Sequence, residues 1–366
     1  MTLLSRTIIT VFTLLFCVPS AAGARADRIG TTFSPVQREY LEMSGEEVLG
    51  SVLEMGFDII RLGAYWSRIE KKEGVFDFSE LDRQIDLAER KKVPVILTVG
   101  MKAPRWPEYF IPAWLERKAD LPYGRDVSED SLLRKKTLEF VTRVVKRYRE
   151  REIIKVWQVE NEPLNRFGGR SWYIGRDFLE REVDLVRILD GGRRKILLTA
   201  ATYPNTLLRI LARASVKHDA IEECLELCDI IGYNIYPTVG HRLWWFDLYW
   251  KTTEPGREKY FTALYEKSLD AGKEPWIVEL QAEPWEPGHL VYKKKGHPPS
   301  CDPGKAVKAV SEFENIGFDT ILLWGAEYWL YCLQAHGDGS WTDAVSGVLE
   351  REKVSGERKR RSRYGP

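Results

Sequence analysis

The stretch Val156-Trp157-Gln158-Val159-Glu160-Asn161-Glu162-Pro163 decides how the chain is read. It begins as an apolar, β-prone run, with Ile153 and Ile154 just before it, and ends abruptly in Asn-Glu-Pro. Pro163 lacks a backbone donor and disfavours the helical region for Glu162, so a strand must stop there. A carboxylate at the mouth of a buried strand is unusual, because such positions rarely keep unpaired charge. Asn161 beside it can both donate and accept. Alone, such an end would pair with a neighbouring loop. Here a second acidic strand end follows, at Glu279.

On either side of this stretch one pattern repeats: a short apolar run, a loop, then a helical stretch. The other runs are Arg28–Ser34, Asp58–Gly63, Val93–Val99, Lys195–Ala200, Asp229–Asn234, Pro275–Leu280 and Thr320–Trp324. Ser44 with Glu47 makes a capping-box start for a helix to about Met55. Ser79 and Asp82 open a helix to Arg90, and Ser131–Arg149 has apolar spacing through Leu133, Thr137, Val141, Val144 and Tyr148. Further helical stretches lie at Phe178–Leu189, Thr206–Ala214, Ala220–Leu227, Pro255–Ala271 and Gly304–Ile316. Eight strands with helices between them predict parallel βαβ units closed into an α/β (β/α)8 TIM barrel over residues 27–350. A doubly wound open sheet competes, but its glycine-rich phosphate turn is absent after the first strand. No internal repeat and no linker divides the chain.

The two ends of the chain read differently. In Met1–Ala26, Arg6 precedes an apolar run from Thr7 to Pro19, and Ala22-Gly23-Ala24 fits a cleavage site. We therefore expect export to a secreted or periplasmic location, with a retained anchor as the alternative and no membrane span after cleavage. Residues 351–366 hold seven Lys/Arg against Glu352 and Glu357, and read as a solvated basic tail without regular structure. The formal net charge of +1 over 366 residues argues against a nucleic-acid surface, and a monomer is expected. Export would permit a disulfide, and Cys301 and Cys332 fall after adjacent strands, so they are expected to pair. Cys224 and Cys228 are expected to stay as buried thiols.

In such barrels chemistry sits at the strand C-termini. Trp157 and Trp276 lie early in strands and read as core. Eleven others lie at or beyond a strand end: Trp66, Trp106, Trp114, Trp172, Trp244, Trp245, Trp250, Trp285, Trp324, Trp329 and Trp341. Loops are usually polar, so this predicts an aromatic face suited to the apolar faces of sugar rings. Two carboxylates across a cleft, Glu162 and Glu279, are the equipment for cleaving a glycosidic bond: one protonated as acid, the other ionised. Glu160 and Glu283 are their rivals, better placed to line the cleft or pair with a basic group. The five histidines form no ligand motif, and no nucleotide or serine-hydrolase signature is present, so neither metal nor cofactor is expected.

These residues resemble the clan A glycoside hydrolases, the 4/7 superfamily of barrels. The resemblance rests on Asn161-Glu162-Pro163 ending strand four and a glutamate, Glu279, ending strand seven. It also rests on Arg61-Leu-Gly-Ala-Tyr-Trp-Ser-Arg-Ile-Glu70 with Gly74-Val-Phe-Asp-Phe-Ser79 and Leu81-Asp82. Asp229-Ile-Ile-Gly-Tyr-Asn-Ile-Tyr236 and Trp324 complete it, from about Ile29 to Trp329, most like the cellulase-type family five and its neighbours. It implies retention through a covalent glycosyl-enzyme, with Glu162 as acid/base and Glu279 as nucleophile. It implies further that Asn161 binds the 2-hydroxyl, that Arg61 and Tyr236 hydrogen-bond the nucleophile and keep it ionised, and that Trp324 lies under the sugar. Trp66, Trp106, Trp285 and Glu327 join the substrate-binding candidates. Two features depart from the family: Thr98-Val-Gly-Met-Lys-Ala-Pro-Arg-Trp106 lacks the histidine many members carry, and strand seven ends Val-Glu-Leu-Gln. The expected function is a retaining hydrolase of β-linked oligo- or polysaccharides. A carbohydrate-binding barrel without catalysis and a transglycosylase are the alternatives.

Overall fold

All eight apolar runs form parallel strands, and they close on themselves. In the computed structural model, which describes residues 26–43, 47–166, 168, 170–203, 210, 219–288 and 298–363, the barrel strands are β1 (Arg28–Thr32), β2 (Ile59–Gly63), β3 (Val95–Val99), β4 (Ile154–Val159), β5 (Lys195–Ala201) and β6 (Ile230–Ile235). After an antiparallel hairpin of β7 (Thr238–Leu243) and β8 (Phe246–Lys251) come β9 (Glu274–Gln281) and β10 (Thr320–Trp324). The closed order is β1-β2-β3-β4-β5-β6-β9-β10, so β9 and β10 are the seventh and eighth barrel strands.

Alternate residues of each strand face opposite sides, and here both sides are apolar. Ile59, Ile96, Val156, Leu197, Ile230, Trp276, Val278 and Leu322 form one cluster, which fills the barrel. Their strand neighbours Ile60, Leu97, Trp157, Ile196, Ile231, Ile277 and Leu323 belong to a larger cluster under the helices. Covered on both faces, the strands must read as continuous apolar runs, which is why the sequence shows them so plainly.

β9 breaks its alternation beside the site. Val278 points into the barrel, so Glu279 should point out. Between Ile277 and Leu280, however, β9 carries one residue more than either neighbour: Tyr233 pairs with Ile277 but Asn234 with Glu279, and Ile321 pairs with Ile277 but Leu323 with Leu280. This bulge re-aims Glu279 into the mouth, a use to which bulges are often put beside sites.

The helices Ser79–Arg90, Ser131–Tyr148, Arg176–Asp190, Ala220–Leu227, Glu254–Asp270 and Pro303–Ile316 lie close to where the periodicity places them. The expected helix start at Ser44 and the stretch 206–214 fall outside the described residues, 210 excepted, as do residues 1–25 of the expected signal. The last helix, Ser340–Arg363, corrects the reading of the basic tail. Its backbone is helical through 351–363, in keeping with the helix propensity of Lys, Arg and Glu. No described helix is long and apolar enough to cross a membrane.

Two further expectations fail on packing grounds. The expected Cys301–Cys332 bridge is not formed, and Cys224, Cys228, Cys301 and Cys332 are all buried thiols. Cys332 lies not in a loop but within the helix Ala326–His336, while the Cys301 thiol donates to the Gln281 carbonyl. The aromatic face is also smaller than expected, because helices begin directly after several strands and draw their tryptophans inward. Trp66, Trp114, Trp172, Trp329 and Trp341 are buried in the core. Trp66 stacks on Phe140 with ring centres 5.0 Å apart and gives its indole N–H to Glu70 at 2.7 Å. It is packing. Trp66→Ala should cost about 3–5 kcal/mol of stability, read from urea unfolding. A residue lining the cleft would lose activity while its unfolding midpoint stayed put.

Candidate active site

The mouth of the barrel is built around a guanidinium with no exposed surface. Arg61, on β2, donates from Nε to Thr32 Oγ1 (2.9 Å) and from Nη1 to Gln158 Oε1 (3.4 Å) and Asn161 Oδ1 (3.5 Å). Its Nη2 donates to Glu279 Oε1 at 2.6 Å. The other Glu279 oxygen accepts from the Tyr236 hydroxyl at 2.5 Å. Burying this ion pair is tolerable because nearly every donor and acceptor in it is used. One nucleophile candidate is thereby fixed in place.

Glu162 stands across the mouth at the end of β4. Asn234, whose Cα pairs in register with Glu279, reaches over to donate to Glu162 Oε1 at 2.7 Å. The Glu162 amide is held by Thr199 Oγ1 (2.8 Å) and its carbonyl by the Lys102 ammonium (2.8 Å). Its backbone is not extended, as the following proline suggested, but left-handed at φ +48°. Glu160 is left-handed too, at +58°. Each such non-glycine residue costs of order 1–3 kcal/mol, a strain that surrounding structure must hold. Burial pushes the Glu162 carboxyl up to about 8, and Glu108 adds to the rise while Lys102 opposes it.

Glu160 takes no part in the cleft. Its carboxylate turns back on the end of β3 and accepts from the Met101 and Lys102 amides at 2.8 and 2.5 Å. Gly100 makes room: at φ +124°, a Cβ there would lie 2.1 Å from Glu160 Oε1. No donor reaches either carboxyl oxygen of Glu182, buried on the helix behind. Burial raises both carboxyls above the ordinary glutamate range, and the Glu160 charge adds to the rise at Glu182. Glu160 fastens the β3 and β4 ends to each other.

The remaining candidates divide. Asn161 is buried, with its side chain oxygen in the Arg61 network and toward Thr199 at 3.3 Å. Trp285 is 44 % exposed and meets the Tyr236 ring edge-on, 4.9 Å between centres. Trp106 stands on the rim, 66 % exposed. Trp324 keeps only 6 % of its surface, because the Arg105 guanidinium lies 4.0 Å from its ring centre. Its face is partly taken. Glu327 is fully buried, accepting from the Ser34 amide (2.5 Å) and pairing with Arg105 (3.0 Å), whose other arm holds Glu283.

Several contributors were not singled out from sequence. Asn234 is a polar strand end like Asn161, a signal that was present. Lys102 and Arg105 occupy the loop where many clan members carry a histidine; Lys102 pairs with Glu108 at 3.0 Å. Among the described residues, no three His, Cys, Asp or Glu side chains are placed to hold a metal ion.

Residues 38–170, which carry Arg61, Asn161 and Glu162, match the family model described as beta-galactosidase, glycoside hydrolase family 42. Among solved structures, the chain resembles the beta-galactosidase of the psychrophilic Marinomonas ef1 (15 % identity, TM-score 0.60, 90 % of this chain and 60 % of that one). It resembles that of Rahnella sp. R3 similarly (15 %, 0.62, 91 % and 56 %). A GH5_18 protein from Streptomyces cattleya in complex with GlcNAc shows 14 % identity and a TM-score of 0.60, with 90 % and 81 % covered. The chain spans 56–60 % of the length of these beta-galactosidases. No curated protein matches the chain significantly.

The raised carboxyls make stability depend on pH. A glutamate whose folded pKa lies above its unfolded value stabilises the fold fully below the unfolded value, and the gain is lost as pH rises through the folded one. Unfolding free energy should therefore fall as pH rises from about 4.5 to about 8, measured by denaturant titration at each pH. Glu182→Gln, neutral at every pH, should flatten the fall; an unchanged slope would remove Glu182 from the account. In fold, the chain is a closed eight-stranded parallel (β/α)8 barrel like those of the beta-galactosidases and the GH5_18 protein it resembles.

Proposed function

We propose that the protein is a retaining glycoside hydrolase that cleaves β-glycosidic bonds with Glu279 as nucleophile and Glu162 as acid/base. The observation that carries this is the asymmetry of the two carboxyl groups. Glu279 receives a hydrogen bond on each oxygen, from Arg61 and Tyr236, whereas burial pushes the Glu162 carboxyl up to about 8. Two glutamates in such different surroundings can divide acid and nucleophile between them.

In the first step a Glu279 oxygen attacks the anomeric carbon while Glu162 gives its proton to the departing glycosidic oxygen. The carbon–oxygen bond breaks and a glycosyl ester forms on Glu279. Glu162, now ionised, takes a proton from water as that water attacks the same carbon, freeing Glu279 and restoring the original anomer. Asn161, beside the acid, is the candidate for the 2-hydroxyl. Of the aromatic candidates, Trp285 offers more open ring than Trp324. The beta-galactosidase match makes aryl β-galactosides the first substrates to test, with β-glucosides and β-mannosides beside them. Export is proposed on the sequence of residues 1–26 alone.

The two substitutions should fail differently. Glu279→Ala should abolish turnover of every glycoside, whatever its leaving group. Glu162→Ala should still release an activated dinitrophenol in a burst, then stall for want of a base. Azide should rescue both, giving a retained azide from the Glu162 variant and an inverted one from the Glu279 variant. Equal inactivity of Glu162→Ala on activated and unactivated glycosides, with no azide product, would overturn the assignment.

A further inference from the structure

The hairpin β7–β8 ends in a feature that packing does not explain. Leu243 pairs with Phe246, so Trp244 and Trp245 are the two residues of a tight turn. Trp244 has φ +56°, the first-position geometry for which such turns favour glycine. A bulky residue there is strained, and strain held in place is a mark of function. Neither ring is covered: Trp244 is 79 % and Trp245 84 % exposed, with centres 5.6 Å apart and planes tilted by 34°. Phe246 beside them is 46 % exposed.

The base of the hairpin, by contrast, is fixed to the active-site rim. Gln281, two residues past Glu279, donates to the Thr238 carbonyl (2.8 Å) and accepts from its amide (3.1 Å). The Gly240 amide donates to the Trp285 carbonyl at 2.8 Å, and a Cβ on Gly240 would lie 2.5 Å from Pro287. Tyr249 donates to Glu286 at 2.6 Å. Aromatic surface thus begins at Tyr236 on the nucleophile, continues through half-exposed Trp285, and resumes at the tip, about 20 Å out for six extended residues.

We propose that Trp244 and Trp245 form a remote platform for a glycan chain, so that the substrate is a polymer whose distant units rest on the hairpin while one bond lies between Glu162 and Glu279. This rests on the function proposed above and extends it to substrate class. Continuity with the rim favours a ligand already held in the cleft. Charge favours a neutral one: Arg242, next to the turn, is taken by Asp247 at 3.0 Å. Paired indoles with open faces suit the apolar faces of sugar rings.

The test compares the full chain with a Trp244→Gly/Trp245→Ala variant, whose turn keeps the residue it prefers. On a short aryl glycoside, kcat/KM should not change. On soluble β-glucan, β-galactan or β-mannan, whichever is cleaved, KM should rise about tenfold with kcat unchanged. Affinity electrophoresis in the same polymers, run in a Glu279→Ala background, reads binding without hydrolysis and so separates this claim from the catalytic one. Retardation lost with the tryptophans supports the platform. Equal retardation with and without them, no retardation by any of the three, or tryptophan-dependent sedimentation with phosphatidylcholine vesicles instead would overturn it.

Discussion

The contact between Arg61 and Glu279 is the constraint from which the rest of the site follows. A buried guanidinium is costly unless its donors are engaged and its charge is met. Here β1 supplies Thr32, β4 supplies Gln158 and Asn161, and β9 supplies the carboxylate. One side chain thus ties four strand ends. The β9 bulge is the backbone's part in this, since a regular strand would send Glu279 out under the helices and leave Arg61 without a counter-ion.

Opposite it, the Glu162 side is built from strain and burial. Two consecutive glutamates in sequence alternation, Glu160 and Glu162, both adopt left-handed backbone and are sent to different duties. Glu160 spends its oxygens on the amides after β3, which fixes the loop that carries Lys102. Lys102 then holds the Glu162 carbonyl, so that the position of Glu162 depends on the end of β3. Arg105, from the same loop, joins Glu283 after β9 to Glu327 after β10 and covers part of Trp324. The mouth is a set of loops locked together by buried charge.

Much of this could be read from the chain alone, for physical reasons. Strands buried on both faces must be apolar throughout, so β1 to β6, β9 and β10 were visible, and a carboxylate ending such a strand stood out at Glu162 and Glu279. The β9 bulge was not visible, because nothing in Val278-Glu279-Leu280 distinguishes a slipped register from a regular one. The hairpin was hidden because its turn is Trp-Trp where Asn-Gly or a leading Gly would announce one. Arg105 could not be connected to Glu283 and Glu327, 178 and 222 residues away, before the loops were placed. The tryptophans misled because position beyond a strand does not say whether a helix starts there, as one does at Trp66.

The central claim is that Glu279 becomes covalently glycosylated while Glu162 moves the protons. It is tested most directly by trapping. A dinitrophenyl 2-deoxy-2-fluoro-β-glycoside of whichever sugar the enzyme turns over slows release of the intermediate, and the inactivated protein can be digested and mapped by mass spectrometry. The account predicts one fluoroglycosyl group per chain, on the peptide containing Glu279 and on that residue. A label on Glu160, Glu162 or Glu283, or turnover of the parent glycoside with no label anywhere, would contradict it.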